Sequence, residues 1–360
     1  MAVARPMHQA RRDINTIRFV PDPSKEDLKA LVDGVIRAQG NDFIKDLLRR
    51  KQLPIGTNKA QFSKHLKAAI DAGTVLAADI DDWLHEVEGW GNQTIYLYRL
   101  SAADARDRLW TDESLLRRRV TKAGHGGQWA ANTSVAFDTA LTLTGVHALD
   151  GGRLRFEWHQ GITVEDRAPE RDFTRDEGDE TIQYRAYLLR RQRTVMRFEI
   201  RPRQRLAAAF VQVPVSSKEH DAALAAMWEV VGCVRPQGTF RPINMSTVIK
   251  KVDEDTKSGP LRTNTVRLST PGAWIAYGAE ASDAAYREVQ DANEARSAVA
   301  TMTRFTGRRS NLLYAASRNT DRKDRDVHVQ LDGTRRRLWV RAQLTEAQAW
   351  DLLVLLTSYA

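Results

Sequence analysis

Arg153-Leu154-Arg155-Phe156-Glu157-Trp158, "RLRFEW", alternates charged and apolar residues without a slip. A period of two places Leu154, Phe156 and Trp158 on one side of a strand and Arg153, Arg155 and Glu157 on the other. That pattern predicts an antiparallel sheet with one buried and one wet face. The same alternation recurs in Met196-Arg197-Phe198-Glu199-Ile200-Arg201 and in Arg337-Leu338-Trp339-Val340-Arg341.

Outward from these segments, the strands around 153–213 finish in "RLAAAFVQVPV" and then a helical stretch, "SKEHDAALAAMWEVV". Those around 262–343 finish in "RRLWVRAQL" and then "TEAQAWDLLVLL". Trp228 and Trp350 occupy matching places in the two terminal helices and read as core. Two runs of strands each closed by a helix predict an α+β fold whose body has two lobes. The expected division is a helical domain over 1–92, a first α+β lobe over 93–235 and a second over 236–360. Residues 161–180 hold eight acids and three arginines with no apolar period, which predicts a long hairpin loop.

The first ninety residues carry a helical period. Ser24 followed by Asp27 resembles a capping box opening a helix to about Ala38. Phe43, Ile44, Leu47 and Leu48 form the apolar stripe of the next helix, whose other side shows Lys45, Arg49, Arg50 and Lys51. "LPIGTNKAQFSKHL", Leu53 to Leu66, breaks and restarts the chain. Pro54 ends one helix, and Asn58 with Gln61 fits an N-cap and its partner. Phe62, Leu66, Ala69 and Ile70 then face the preceding stripe, Lys59, Lys64 and Lys67 stay outside, and Gly73 suits a left-handed C-cap. Backbone N–H groups near Gly56, Thr57, Asn58 and Lys59, flanked by lysines, suit a phosphate.

Residues 42–71 resemble the SAP motif, a helix–extended loop–helix module of DNA-binding proteins. Leu47 and Leu48, Leu53-Pro54, Gly56-Thr57, Lys59, Phe62 and Leu66 stand in the places of its pattern. Aligned on Leu-Pro and the lysine, Gly56 falls one position early and Asn58 stands where the threonine belongs. The resemblance implies duplex DNA binding through the second helix's N-terminus and its lysines.

Charge supports such a partner. The 360 residues carry a formal net charge of +9. Residues 1–70 hold 14 Lys/Arg against 7 Asp/Glu, whereas 71–90 hold six acids and no Lys or Arg. A basic balance favours polyanions but does not decide fold. The lone Cys233 excludes an internal disulfide and a cysteine-type zinc site and reads as a buried structural thiol. No signal peptide or membrane span is expected, which suggests a cytoplasmic or nucleoid-associated protein, nuclear if eukaryotic.

In the body, residues 185–205 contain eight arginines against Glu199 alone, and residues 304–341 contain eleven Lys/Arg against four aspartates. If the strands are neighbours, Arg197, Arg201, Arg337 and Arg341, with Arg153 and Arg155, share one outward face with Trp339 among them. Guanidinium forks on such a face would pair with phosphates. Trp83, Trp90, Tyr96 and Tyr98 read as core.

Neither a phosphate loop nor a dinucleotide-binding glycine pattern is present, and no H-E-x-x-H occurs. The best set for two-metal hydrolysis would join Glu157 and His159 to Asp326, His328 and Asp332, but nothing in the sequence brings them together. The expectation is a non-enzymatic protein binding duplex DNA, with no metal or cofactor, a possible protein partner and no membrane. The alternatives are a metal-dependent nuclease delivered by the helical module, or an assembly subunit for RNA or an acidic protein.

Overall fold

The computed structural model describes residues 24–38, 41–87, 90, 92–131, 139–212, 217–255, 261–270, 273–279, 285, 290–291, 294, 296, 306–315, 327–342 and 344–360. The fold is α+β. Four helices come first: α1 (Lys25–Ala38), α2 (Asn41–Arg50), α3 (Lys59–Asp71) and α4 (Ala77–Val87). Their apolar stripes meet in one core that includes Leu31, Ile44, Leu48, Phe62, Leu66, Ile80 and Trp83. At the first start, Ser24 Oγ accepts the Asp27 N–H at 3.2 Å and Asp27 accepts the Ser24 N–H at 3.3 Å. At the α3 start, Asn58 Oδ1 accepts the Gln61 N–H at 3.0 Å. Gly73 takes φ +72 just after the Ala72 C-cap.

The body is one antiparallel sheet. Its strands are β1 (Gln93–Leu100), β2 (Thr142–Leu149), β3 (Arg153–Arg167), β6 (Tyr187–Arg201), β7 (Leu206–Gln212), β8 (Phe240–Pro242), β9 (Leu261–Thr270), β10 (Ala273–Gly278), β11 (Thr306–Tyr314), β12 (Val327–Asp332) and β13 (Arg337–Val340). They lie in the order β10-β9-β11-β12-β13-β1-β7-β6-β3-β2, with β8 on β1. The chain runs through strand, helix, strands and helix twice. In the first pass β1 is followed by α5 (Ala102–Ala105), α6 (Glu113–Lys122), the β2-β3-β6-β7 strands and α7 (Ser217–Val231). In the second, β8 is followed by α8 (Met245–Glu254), β9 to β13 and α9 (Glu346–Ser358).

The two passes place their helices on opposite faces. Leu116 and Val120 of α6 and Met227 and Val231 of α7 join a core with Tyr96, Tyr98, Ala207, Ala209, Phe156 and Phe198. Val248 and Ile249 of α8 and Trp350 and Leu353 of α9 join another with Ile95, Leu97, Ala208, Phe210, Leu331 and Leu338. Neighbouring residues of β1 and β7 belong to different cores, so these central strands are buried on both sides. The alanines of "LAAAF" in β7 suit that place, because a helix packs over each face.

Residues 161–180 are not a loop. β3 continues to Arg167 and pairs with β6 along its whole length, and β4 (Phe173–Glu177) and β5 (Glu180–Tyr184) form a hairpin beyond it. Phe173 and Tyr184 stack at 4.7 Å, and Arg167 pairs with Asp172. No helix among the described residues is long and apolar enough to cross a membrane.

Candidate nucleic-acid interface

The register of the sheet sorts the arginines. One cross-strand row runs Ala276, Arg267, Arg309, Asp332, Arg337, Tyr96, Ala209, Phe198. It begins as wet guanidinium and becomes hydrophobic core at Tyr96, where α7 takes over the face. The adjacent row runs Arg197, Phe210, Ile95, Leu338, Leu331 and lies on the opposite face. Arg197 and Arg201 therefore do not share a face with Arg337 and Arg341, contrary to the expectation from sequence.

Nor are they exposed. Arg197 is 1% exposed, and its Nε donates to Glu157 Oε2 at 2.7 Å with the guanidinium 4.7 Å from the Trp90 ring centroid. Arg201 donates to Glu199 and to Glu346, both at 2.6 Å, and lies 4.0 Å over Trp350. Arg153 and Arg155 join the same cluster, each reaching Glu346, at 2.7 and 2.8 Å, and Arg155 also reaching Glu199. Burial alone would raise the Glu346 carboxyl; Arg155, Arg201 and Arg153 outweigh it and hold the group below the ordinary range. The arginines of the first half thus neutralise buried carboxylates and pin the start of α9 to β3 and β6. Period two identified their side of the strand correctly, but not that Trp90 and α9 cover it.

The second half is different. On the face away from α8 and α9, β13 presents Arg337 and Trp339, with Arg341 just beyond its end over Trp339, β12 presents His328, Gln330 and Asp332, and β11 presents Arg309 and Asn311. β9 and β10 add Thr265, Arg267 and Trp274. Strands β9 to β13, with the 333–336 turn and Arg341, hold eight arginines and one carboxylate, Asp332. Among the described residues, none of Arg267, Arg309, Arg337 and Arg341 forms an ion pair with a carboxylate. Arg267 faces Arg309 directly across the strands, a like-charge placement that costs free energy without an anion between. Trp274 is 56% exposed with Arg267 3.9 Å over its ring, and Arg341 lies 4.0 Å over Trp339. Arg337, Arg341 and Trp339 were legible from alternation; Arg267, Arg309 and Trp274 were not, because only strand order brings them alongside.

In the helical unit the structure divides the expected contacts. Lys51 pairs with Asp79 of α4 and Lys67 with Asp33 of α1 at 2.5 Å, so both tie helices together. Arg50 pairs with Asp46 at 2.5 Å, and Lys45 is half-buried. Arg49, Lys59 and Lys64 are exposed, as are Thr57 and Asn58. Gly56 is buried against Gln61: a Cβ there would come within 2.5 Å of the Gln61 Cβ. Gln61 Oε1 accepts the Thr57 N–H at 2.7 Å, one residue further back than a capping box reaches. On α6, Ser114, Arg117, Arg118, Thr121 and Lys122 line a shallow recess of about 460 Å³, a further basic surface.

The carboxylate–histidine set does not assemble. His159 Nε2 and Glu157 Oε1 are 3.0 Å apart on the α9 side of the sheet, while His328 and Asp332 lie on the other side. Asp326 lies outside the described residues. Among the described residues no group of three or more His, Cys, Asp or Glu could hold a metal ion. Neither a family model nor a curated protein matches the chain.

Proposed function

We propose that the chain is a DNA-binding protein that holds the phosphate backbone without cleaving it. One contact is the loop and first turn of α3, and the other is the arginine–tryptophan face of β9 to β13. The observation that carries this reading is the contrast between the two halves. In the first, Arg153, Arg155, Arg197 and Arg201 all meet carboxylates. In the second, Arg267, Arg309, Arg337 and Arg341 lie on the face opposite α8 and α9, Arg309 and Arg341 exposed and Arg267 and Arg337 half-buried, and meet none among the described residues. Cations that outnumber the one carboxylate among them, Asp332, fit a polyanionic ligand. The exposed Lys59 and Lys64 in the first two turns of α3, and Arg49 exposed in the last turn of α2, support the first contact.

The test is salt-dependent binding of the full chain to duplex DNA. Arg309→Gln, Arg337→Gln and Arg341→Gln together should weaken binding about tenfold or more. The slope of log affinity against log salt should fall by about 2 to 3 as those phosphate contacts are lost. Unchanged affinity and slope in a variant that still folds would remove the face from the reading.

A further inference from the structure

A face that served only a duplex backbone would need cations and hydrogen-bond donors but no exposed rings, since the π-faces of duplex bases are covered by their stacked neighbours. This face also displays indole rings. Trp274 is 56% exposed on β10, and Trp339 on β13 is half-buried, each beside an arginine. Resting on the nucleic-acid reading above, we infer that the β9–β13 face takes an unpaired DNA strand, with bases stacking on Trp274 and Trp339. Every base offers a π-face, so stacking on indoles is tolerant of sequence, and guanidinium planes beside the rings add to it.

The layout suits this ligand. β10 and β13 are four strand spacings apart, about 19 Å, and the two tryptophans are offset by about 13 Å along the strands. An extended strand of a few nucleotides spans that diagonal. Arg267, Arg309 and Arg337 lie between the rings, where the phosphates would pass, with Asp332 the one carboxylate among them, and Gln330 beside Trp339 offers both donors and acceptors to base edges.

The experiment compares full-length wild type, Trp274→Ala with Trp339→Ala, and Trp274→Phe with Trp339→Phe on two probes, oligo(dT) and a blunt duplex of mixed sequence. Binding is read by anisotropy of the labelled DNA, and stacking by quenching of protein tryptophan fluorescence. The alanine pair should bind oligo(dT) about tenfold or more weakly and keep its duplex affinity within about twofold, and the phenylalanine pair should recover most of the loss. Equal oligo(dT) affinity in wild type and the alanine pair overturns the inference. So does duplex binding by wild type without oligo(dT) binding, and that result leaves the proposed function standing. Failure of wild type to bind either probe overturns both.

Discussion

Arg197 and Arg337 sit in adjacent cross-strand rows and on opposite sides of one sheet, and their energetics should be opposite too. Arg197 is the cation beside the buried Glu157 carboxylate. Replacing it with Gln leaves that charge in a low-dielectric interior, and breaking such a pair costs about 3 kcal/mol or more. Arg337→Gln changes a half-wet strand position and should stay within about 0.5 kcal/mol. Urea unfolding of both variants checks this; equal losses would mean that the two sites do not differ in burial as described. The contrast also marks what alternation reveals. It separates the two sides of a strand, because side chains alternate by geometry, but it does not say which side another element will cover. Glu157 was the residue that could have signalled burial, since a lone acid opposite Arg197 suits a paired interior charge.

At the level of elements, the start of α9 joins the two halves of the sheet. Thr345 and Gln348 form a reciprocal capping box, at 3.2 and 3.1 Å, which fixes the first turn. Glu346 in that turn then meets Arg153, Arg155 and Arg201 of β3 and β6. Glu346→Gln should cost about 3 kcal/mol, the lower end for a buried pair because the side chain is one-third exposed (33%). Its carboxyl is held below the ordinary value of 4.5, so its stabilisation is complete above that pH. It is lost as pH falls through the lower folded-state value. Wild type should therefore lose stability more steeply than Glu346→Gln on going from pH 5 towards acid; parallel pH profiles would sink the assignment. The capping boxes at Ser24 and Thr345 and the N-cap at Asn58 lie within three residues of sequence, and the first and last of these were legible in it. The ribbon over 161–184 was not. Both of its sides are wet at the tip, so no apolar period develops, and pairing by backbone with the Phe173–Tyr184 stack leaves little trace in sequence.

In the whole molecule, the two runs of strands each closed by a helix were visible as repeated segment types; β8 and α8, which open the second pass, were not. The placement of α6 and α7 on one face and α8 and α9 on the other was not, because it depends on how β1 and β13 pair. That placement leaves the other face of the second half without a helix over it among the described residues. It also separates that face from the helical unit, whose α1 lies against β6 in the first half. From β6 to β11 is five strand spacings, about 24 Å, before the helical unit's own breadth is added. A duplex of about 10 base pairs is about 34 Å long and too stiff to bend around the sheet, so it should engage one surface at a time. A long duplex can engage both, and the second contact then gains from effective concentration. Two charge changes therefore report on the arrangement: Lys59→Glu with Lys64→Glu in the helical unit, and Arg309→Gln with Arg337→Gln on the face. On long duplex DNA each pair should reduce affinity by about tenfold, and because the sites share no partner their logarithmic losses should add in the combined variant. On the 10-base-pair duplex, the combined loss should fall short of that sum, since each molecule of DNA samples only one surface. A combined variant on long DNA that is no weaker than the worse of the two pairs would place all the binding on a single surface, and the pair responsible would identify it.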